Sequence, residues 1–212
     1  MKMTKLRFFS LTAVMLSCCF FWFKGAQSES ENLLRNGSFE DIANHSTVPE
    51  EWLDFGPESE SPPDIHPTGT FMVTKAAKHG DTYIGMVVRD NETWEKIGQK
   101  LDQPLKKGKK YQLRGYIARS ETFVSVSKLT NERANYTQSI ILRINGAEAW
   151  EDNLQQLGQT PPILNYDWKY FELTLKPKSN AAYFVVEAYY NDMIDGAYNG
   201  NILLDDLELV EL

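Results

Sequence analysis

Ile202-Leu203-Leu204-Asp205-Asp206-Leu207-Glu208-Leu209 closes this 212-residue chain, and Asn32-Leu33-Leu34-Arg35-Asn36-Gly37-Ser38-Phe39-Glu40-Asp41 stands near its start. Both stretches read as alternating apolar strands that carry carboxylates where a half-buried strand normally carries none. A carboxylate taken out of water is costly unless a cation or a set of donors compensates it. The pair therefore predicts two strands, one from each end, clamped side by side across a shared metal ion. Alternation separates the two aspartates. Asp205 falls on the face of Leu207 and Leu209 and points to the core, whereas Asp206 points to solvent with Glu208. In the opening strand Phe39 is the inward anchor, and Glu40 follows it where the chain turns away.

Between these ends, short β-type segments alternate with clusters of Gly, Pro, Asn and Asp, the pattern of an all-β sandwich. The clearest strands are residues 83–88, 111–118, 139–144, 170–175, 182–189 and 202–210, with turns at Lys106-Lys107-Gly108-Lys109, Asn145-Gly146 and Tyr198-Asn199-Gly200-Asn201. Residues 56–69, with four prolines, read as a long surface loop, and residues 158–165 as a second one. Helical signal is weak, and residues 147–157 are its best candidate. The expectation is one all-β domain over residues 29–212, a two-sheet antiparallel β-sandwich.

The first 28 residues differ from the rest. Lys2, Lys5 and Arg7 precede an apolar run over residues 8–23, followed by Lys24 and the small-residue stretch Gly25-Ala26-Gln27-Ser28. That is the layout of a secretory signal peptide, with an uncleaved N-terminal anchor as the alternative. Both cysteines, Cys18 and Cys19, lie inside it, so the exported domain would have no disulfide to staple it and would need a real core, helped by metal. Four of the 22 basic residues and none of the 29 acidic ones lie there, so without it the net charge falls from −7 to −11. Nucleic acid and anionic membrane surfaces are poor partners for such a domain.

The order of motifs resembles a galactose-binding-like jelly roll of the family 4, 9 and 22 carbohydrate-binding module type. The residues that carry this are Asn-Leu-Leu-x-Asn-Gly-Ser-Phe-Glu at 32–40, Pro49 with Trp52, and His79-Gly80-Asp81-Thr82-Tyr83. Next come Trp94-x-x-Ile97-x-Gln99-x-Leu101, Leu105-x-x-Gly108-x-x-Tyr111, Tyr116-Ile117, Trp168 and Leu204-Asp205-Asp206-Leu207-x-Leu209. The resemblance covers roughly residues 32–212. It implies a structural Ca²⁺ between the first and last strands, with Glu40 and Asp205 as side-chain ligands and backbone carbonyls of the Lys78 to Asp81 turn completing an oxygen shell. The alternative is that both carboxylates merely accept backbone N–H bonds.

It also implies a glycan or polysaccharide ligand, which needs flat aromatic faces beside groups that reach hydroxyls. Candidates on the non-core faces are Trp94, Arg114, Tyr116, Arg143, Glu187 and Tyr189, read as one polar-aromatic platform across neighbouring strands. The opposing reading is a cross-strand ion pair, Arg143 with Glu187, beside ordinary sheet aromatics. Trp52 and Trp168 read as core, and Trp150 as either a platform or a cap. Catalysis is not expected: adjacent acids such as Asp205-Asp206 point to opposite faces of a strand, and no nucleophile elbow or phosphate loop is present. A protein-protein interaction or adhesion module of the same fold is the rival class, on the expectation that the module stands alone, without a catalytic domain to deliver.

Overall fold

The computed structural model describes residues 31–150 and 153–212, so the leader segment lies outside the described residues. Two five-stranded antiparallel sheets face each other, as the alternation predicts. The first sheet has the order β1 (Leu53–Asp54), β4 (Lys96–Leu105), β11 (Ala181–Tyr190), β8 (Ile140–Ala147), β9 (Gln155–Gln159). The second has the order β10 (Lys169–Leu175), β5 (Tyr111–Ala118), β12 (Gly200–Glu211), β3 (Tyr83–Val88), β2 (Asp64–His66). A small hairpin, β6 (Val124–Val126) and β7 (Arg133–Asn135), stands apart from both.

The core is built from one face of each strand. Phe184, Val186 and Ala188 of β11 and Leu142 and Ile144 of β8 meet Ile84, Met86 and Val88 of β3 and Leu113 and Ile117 of β5. Burying each large aliphatic or aromatic side chain contributes roughly 1.5–3 kcal/mol, enough in sum for a domain without disulfides. A second apolar cluster lies on the outer side of the second sheet. There Tyr83, Val87, Ala118 and Leu203 are covered by Val73, Phe123 and Tyr136, with Phe71 and Trp168 against the edge.

Several expectations are corrected. No helix occupies the described part of residues 147–157: β8 ends at Ala147 and β9 begins at Gln155. The proline-rich stretch 56–69 contributes β2, which pairs with β3 and is fully buried, so it supplies an edge strand instead of a free loop. Residues 158–159 likewise belong to β9, beside β8. Trp52 is core as expected, packed 5.1 Å from Phe39. Trp168 is not; it sits on the outer cluster, edge-on to Tyr83 at 5.2 Å, its indole N–H donating to the Ala76 carbonyl.

The two ends do lie side by side. The Leu33 amide donates to the Leu209 carbonyl at 2.8 Å, the Leu207 amide to the Gly37 carbonyl at 2.8 Å, and the Asn32 side chain bridges Leu207 and Leu209. The opening stretch is a series of bends, though, without strand geometry. Asp205 also lies on a different face from the one expected. A β-bulge between Asp205 and Glu208, with Asp206 at φ 53°, shifts the alternation by one residue. Ile202, Leu204, Leu207 and Leu209 all reach the sandwich interior, while Leu203 joins the outer cluster and Asp205 follows it to that side. Gly115 sits opposite the bulge, where a Cβ would come within 2.6 Å of the Leu207 side chain and 3.0 Å of the Asp206 carbonyl oxygen.

Candidate functional site

The six predicted ligand residues divide between the two sheets. Trp94, Arg143, Glu187 and Tyr189 converge on the outer face of the first sheet. Arg114 and Tyr116, on β5, lie on the outer side of the second, so the single platform expected from the sequence does not form. The physical reason is strand order: β5 pairs with β10 and β12, while β8 pairs with β11 and β9.

On the first sheet, Glu187 is flanked across the ladder by Lys96 on β4 and Arg143 on β8. Its Oε1 accepts from Arg143 Nη1 at 3.1 Å and its Oε2 from the Trp94 indole N–H at 3.4 Å. The Arg143 guanidinium lies 3.2 Å above the Tyr189 ring centroid, and Trp94 meets Tyr189 edge-on at 4.9 Å. The ion pair foreseen as the alternative and the aromatic platform are therefore one constellation: a buried carboxylate holds the cation that supports the ring. Arg143 Nε and the Asn145 side-chain nitrogen remain buried without a partner, two donors aimed at nothing in the protein.

Sequence reasoning missed the other half of this face. Tyr183, Val185, Glu187 and Tyr189 alternate along β11 on one side, and Tyr183 carries a second aromatic cluster. Phe55 stands 4.2 Å from Trp150 and 6.1 Å from Tyr183, with Trp150 43% exposed. The period-two spacing of Tyr183 and Tyr189 was the available signal; Phe55 and Trp150 arrive from distant segments and left none. Six residues at about 3.3 Å each put the two clusters roughly 20 Å apart. Beyond Trp94 and Tyr189 the face runs into an open depression of about 480 Å³ lined by Glu92, Tyr190, Asn191, Asp192, Ile194 and Ala197. Burial, with nearby acidic and phenolic groups adding to it, pushes the Tyr190 phenol up to about 12, so it acts there as a neutral hydroxyl.

On the second sheet, Tyr116 carries Lys78 over its ring at 4.7 Å and Tyr170 at 5.8 Å, while Arg114 Nε is bonded to Glu208 at 2.6 Å. These side chains satisfy one another.

The carboxylates of Glu40 and Asp205 both meet the turn around Gly80. Asp205 Oδ2 accepts from the Lys78 and His79 amides at 2.7 and 2.9 Å, and Glu40 Oε2 from the Asp81 and Thr82 amides at 3.0 and 3.3 Å. Thus the backbone-acceptor reading holds for one oxygen of each. The other oxygens, Glu40 Oε1 and Asp205 Oδ1, are buried without any partner. Gly80, at φ +59°, makes room for Glu40: a Cβ there would lie 1.8 Å from Glu40 Oε1. Two orphaned carboxylate oxygens, whose partner oxygens are held by one turn, suit a hard cation. For Lys78 and Asp81 the groups seen on the carboxylates are amide donors, not the carbonyls expected from the resemblance. Burial raises Asp205 to about 6, against the opposing His79 and Lys78 bonds. No cluster of three or more His, Cys, Asp or Glu suited to a metal occurs among the described residues, so any cation would depend on backbone oxygen or water for the rest of its shell.

No protein-family model matches the chain, and no curated protein matches it. Solved structures do. The CBM22-1 xylan-binding domain from Paenibacillus barcinonensis Xyn10C superposes with a TM-score of 0.52 at 13% identity, covering 86% of this chain and 95% of that one. The K2 cleaved adhesin domain of Lys-gingipain gives 0.51 at 12% identity, covering 82% and 96%. A Stig cyclase from Fischerella sp. TAU gives 0.51 at 12%, covering 85% and 96%. At such identities the likeness concerns the fold, which is shared by binding modules, an adhesin domain and an enzyme. In fold, the chain is similar to the jelly-roll carbohydrate-binding modules.

Proposed function

We propose that this chain is a non-catalytic carbohydrate-binding module whose ligand is an extended glycan laid across the outer face of the first sheet. One observation carries the reading. Two aromatic clusters, Trp94 with Tyr189 and Trp150 with Phe55 and Tyr183, stand at the two ends of one sheet face, separated by unpaired donors on Arg143 and Asn145. Aromatic faces take the C–H patches of sugar rings, and the Arg143 guanidinium between them, its side chain still 21% exposed, donates to hydroxyl oxygens. The fold shared with a xylan-binding domain supports this reading. The leader-like first 28 residues support export to the cell exterior.

Binding of the purified protein to a polysaccharide panel in affinity gels tests it. Retardation by at least one polysaccharide, weakened by Trp94→Ala and by Trp150→Ala, is expected. No retardation by any polysaccharide would sink the reading and favour a protein partner on the same face.

A structural Ca²⁺ on Glu40 Oε1 and Asp205 Oδ1 belongs to this proposal. It would supply only charge compensation, holding the opening segment against β12. At a free concentration a hundredfold above its Kd such an ion adds about 2.7 kcal/mol of stability. Chelation is expected to lower the Tm of the wild type and leave Asp205→Asn unaffected; an unchanged wild-type Tm would count against the ion.

A further inference from the structure

A second cavity of distinct chemistry lies on the opposite side of the sandwich, under the β6–β7 hairpin. A cavity of about 270 Å³ opens there between the outer face of β2–β3 and the hairpin, lined by Asp64, Arg89, Glu95, Phe71 and Phe123 among others. Its floor is ionic. Arg89, only 4% exposed, turns Nη2 to Glu95 Oε1 and to both oxygens of Ser61, and Nε to Glu60 at 3.5 Å. Lys128 reaches the same Glu60 at 2.7 Å. One nitrogen is left over. Arg89 is among the residues that line this space, and its Nη1 is buried without a hydrogen-bond partner. A buried guanidinium donor without a protein partner is expensive, and its surroundings are too polar for the cavity to be an apolar void.

The chemistry narrows the occupant. Two cations, Arg89 and Lys128, already face three carboxylates, Glu60, Asp64 and Glu95, so no surplus positive charge invites an anion. The free Arg89 nitrogen asks for an acceptor, whereas the carboxylates keep spare acceptor capacity and ask for a donor. A hydroxyl group supplies both. One wall is apolar: Phe71 and Phe123 stack at 5.1 Å with an 8° interplanar angle, and Tyr136 stacks on Phe123 at 5.7 Å. Phe71 holds this place at φ 55°, a left-handed conformation that is strained for a bulky residue. The volume falls just below the roughly 300–1,000 Å³ of sites for drug-sized ligands, which leaves room for one ring.

We propose that this cavity binds a single neutral polyhydroxyl ligand, one sugar residue or a small polyol, with its hydroxyls on Arg89, Asp64 and Glu95 and its C–H face on the Phe71–Phe123 wall. The hairpin forms the roof. Asp90 anchors it by accepting from the Ser127 hydroxyl at 2.6 Å and the Lys128 amide at 3.0 Å. The site is independent of the first-sheet face and would stand if that face proved to bind no glycan.

The test titrates the purified protein with D-xylose, D-glucose, D-galactose, N-acetylglucosamine and glycerol, read by calorimetry and by amide shifts of residues 125–131. Saturable binding of at least one probe, with shifts in that segment, is expected. Val126→Trp, which fills the mouth from an exposed hairpin position, should weaken it at least tenfold; Arg114→Ala, at an exposed ion pair outside both faces of binding, should leave it unchanged. Arg89→Gln should also weaken it tenfold, and if that variant does not fold, Val126→Trp still decides. Absence of saturation by every probe up to about 100 mM, far weaker than the millimolar range of a marginal site, would overturn the proposal. So would binding that Trp94→Ala abolishes and Val126→Trp leaves intact, because the ring would then sit on the first sheet.

Discussion

The outer faces of the two sheets have opposite fates. The first sheet keeps Trp94, Tyr183, Tyr189 and Trp150 partly exposed along its outer side, around a floor of buried Asn145, Val185 and Glu187. The second sheet has the β2–β3 side of its outer face covered by residues 68–82 and the β6–β7 hairpin, which turn Tyr83, Val87 and Leu203 into a second core, while Arg114 and Tyr170 on β5 and β10 stay exposed. Alternation along a strand says that a residue faces away from the sandwich interior; it does not say that the residue faces water. On the covered side, charge is buried with apolar groups. Glu95 is pushed up to about 8, chiefly by burial and partly by Asp64, against the pull of Arg89. Burial also raises Asp64 to about 6 and lowers His66 to about 4. Glu60 differs. Burial raises it, but bonds from Lys128 and Asn91 and the charges of Arg89 and Lys128 prevail and hold it below the usual carboxylate range.

The comparison breaks most visibly in stability. Phe123→Ala, which hollows the covered side, is expected to lose about 3–5 kcal/mol. Tyr183→Ala on the open side should lose far less, under about 2 kcal/mol, since its ring is only partly buried. Chemical denaturation of the two variants measures both, and equal losses would erase the distinction between the faces.

Ligand binding should divide the other way. Trp94→Ala is expected to weaken polysaccharide binding about 10- to 100-fold, the effect of removing an aromatic anchor worth roughly 1.4–2.7 kcal/mol. Affinity electrophoresis reads this, while Phe123→Ala should leave the affinity of the folded fraction unchanged.

Acidity sharpens the contrast further. A carboxyl whose folded pKa is raised lends stability that is full below its unfolded value and lost as pH rises through the folded one. Glu95 therefore makes the protein less stable as pH climbs from about 4.5 to about 8. His66 acts oppositely, since its lowered pKa removes stability only as pH falls from about 6.5 to about 4. Between pH 6.5 and 8 the Glu95 effect stands alone among Glu95, Asp64 and His66. Its slope is on the order of 1 kcal/mol per pH unit. Glu95→Gln should flatten it in thermal melts across that window; an unchanged slope would show that Arg89 keeps Glu95 ionised.

The smallest effect belongs to Arg114→Ala. Its pair with Glu208 is about 40% exposed on both sides, so the loss should stay below about 1 kcal/mol, and polysaccharide affinity should not change. A tenfold loss of affinity would return Arg114 to the ligand site from which the strand order removes it.

Much of the fold was legible because burial leaves a period of two in the sequence. β3, β5, β10, β11 and β12 begin and end within a residue or two of the predicted strands. Arg143, Glu187 and Tyr189 were legible as outward residues for the same reason. Arg114 and Tyr116 were outward too, yet belong elsewhere, since alternation assigns a face within a sheet and is silent about which sheet. Asp205 shows a finer limit. Its burial was foreseen from its apolar neighbours, but one bulged residue, Asp206 at φ 53°, reverses the side on which it is buried.

By itself, the sequence determined an all-β sandwich and the adjacency of its two ends, because hydrophobic periodicity and the cost of buried carboxylates are local properties; the meeting of Glu40 and Asp205 at one turn was implied only by the family resemblance. Tertiary structure alone decided which outer face stays open, how Phe55 and Trp150 complete the aromatic row with Tyr183, and where Arg89 comes to face Glu60, Asp64 and Glu95. Those outcomes depend on strand order and on loops that cross a sheet, and residues that meet only through such crossings leave no periodic trace in the chain.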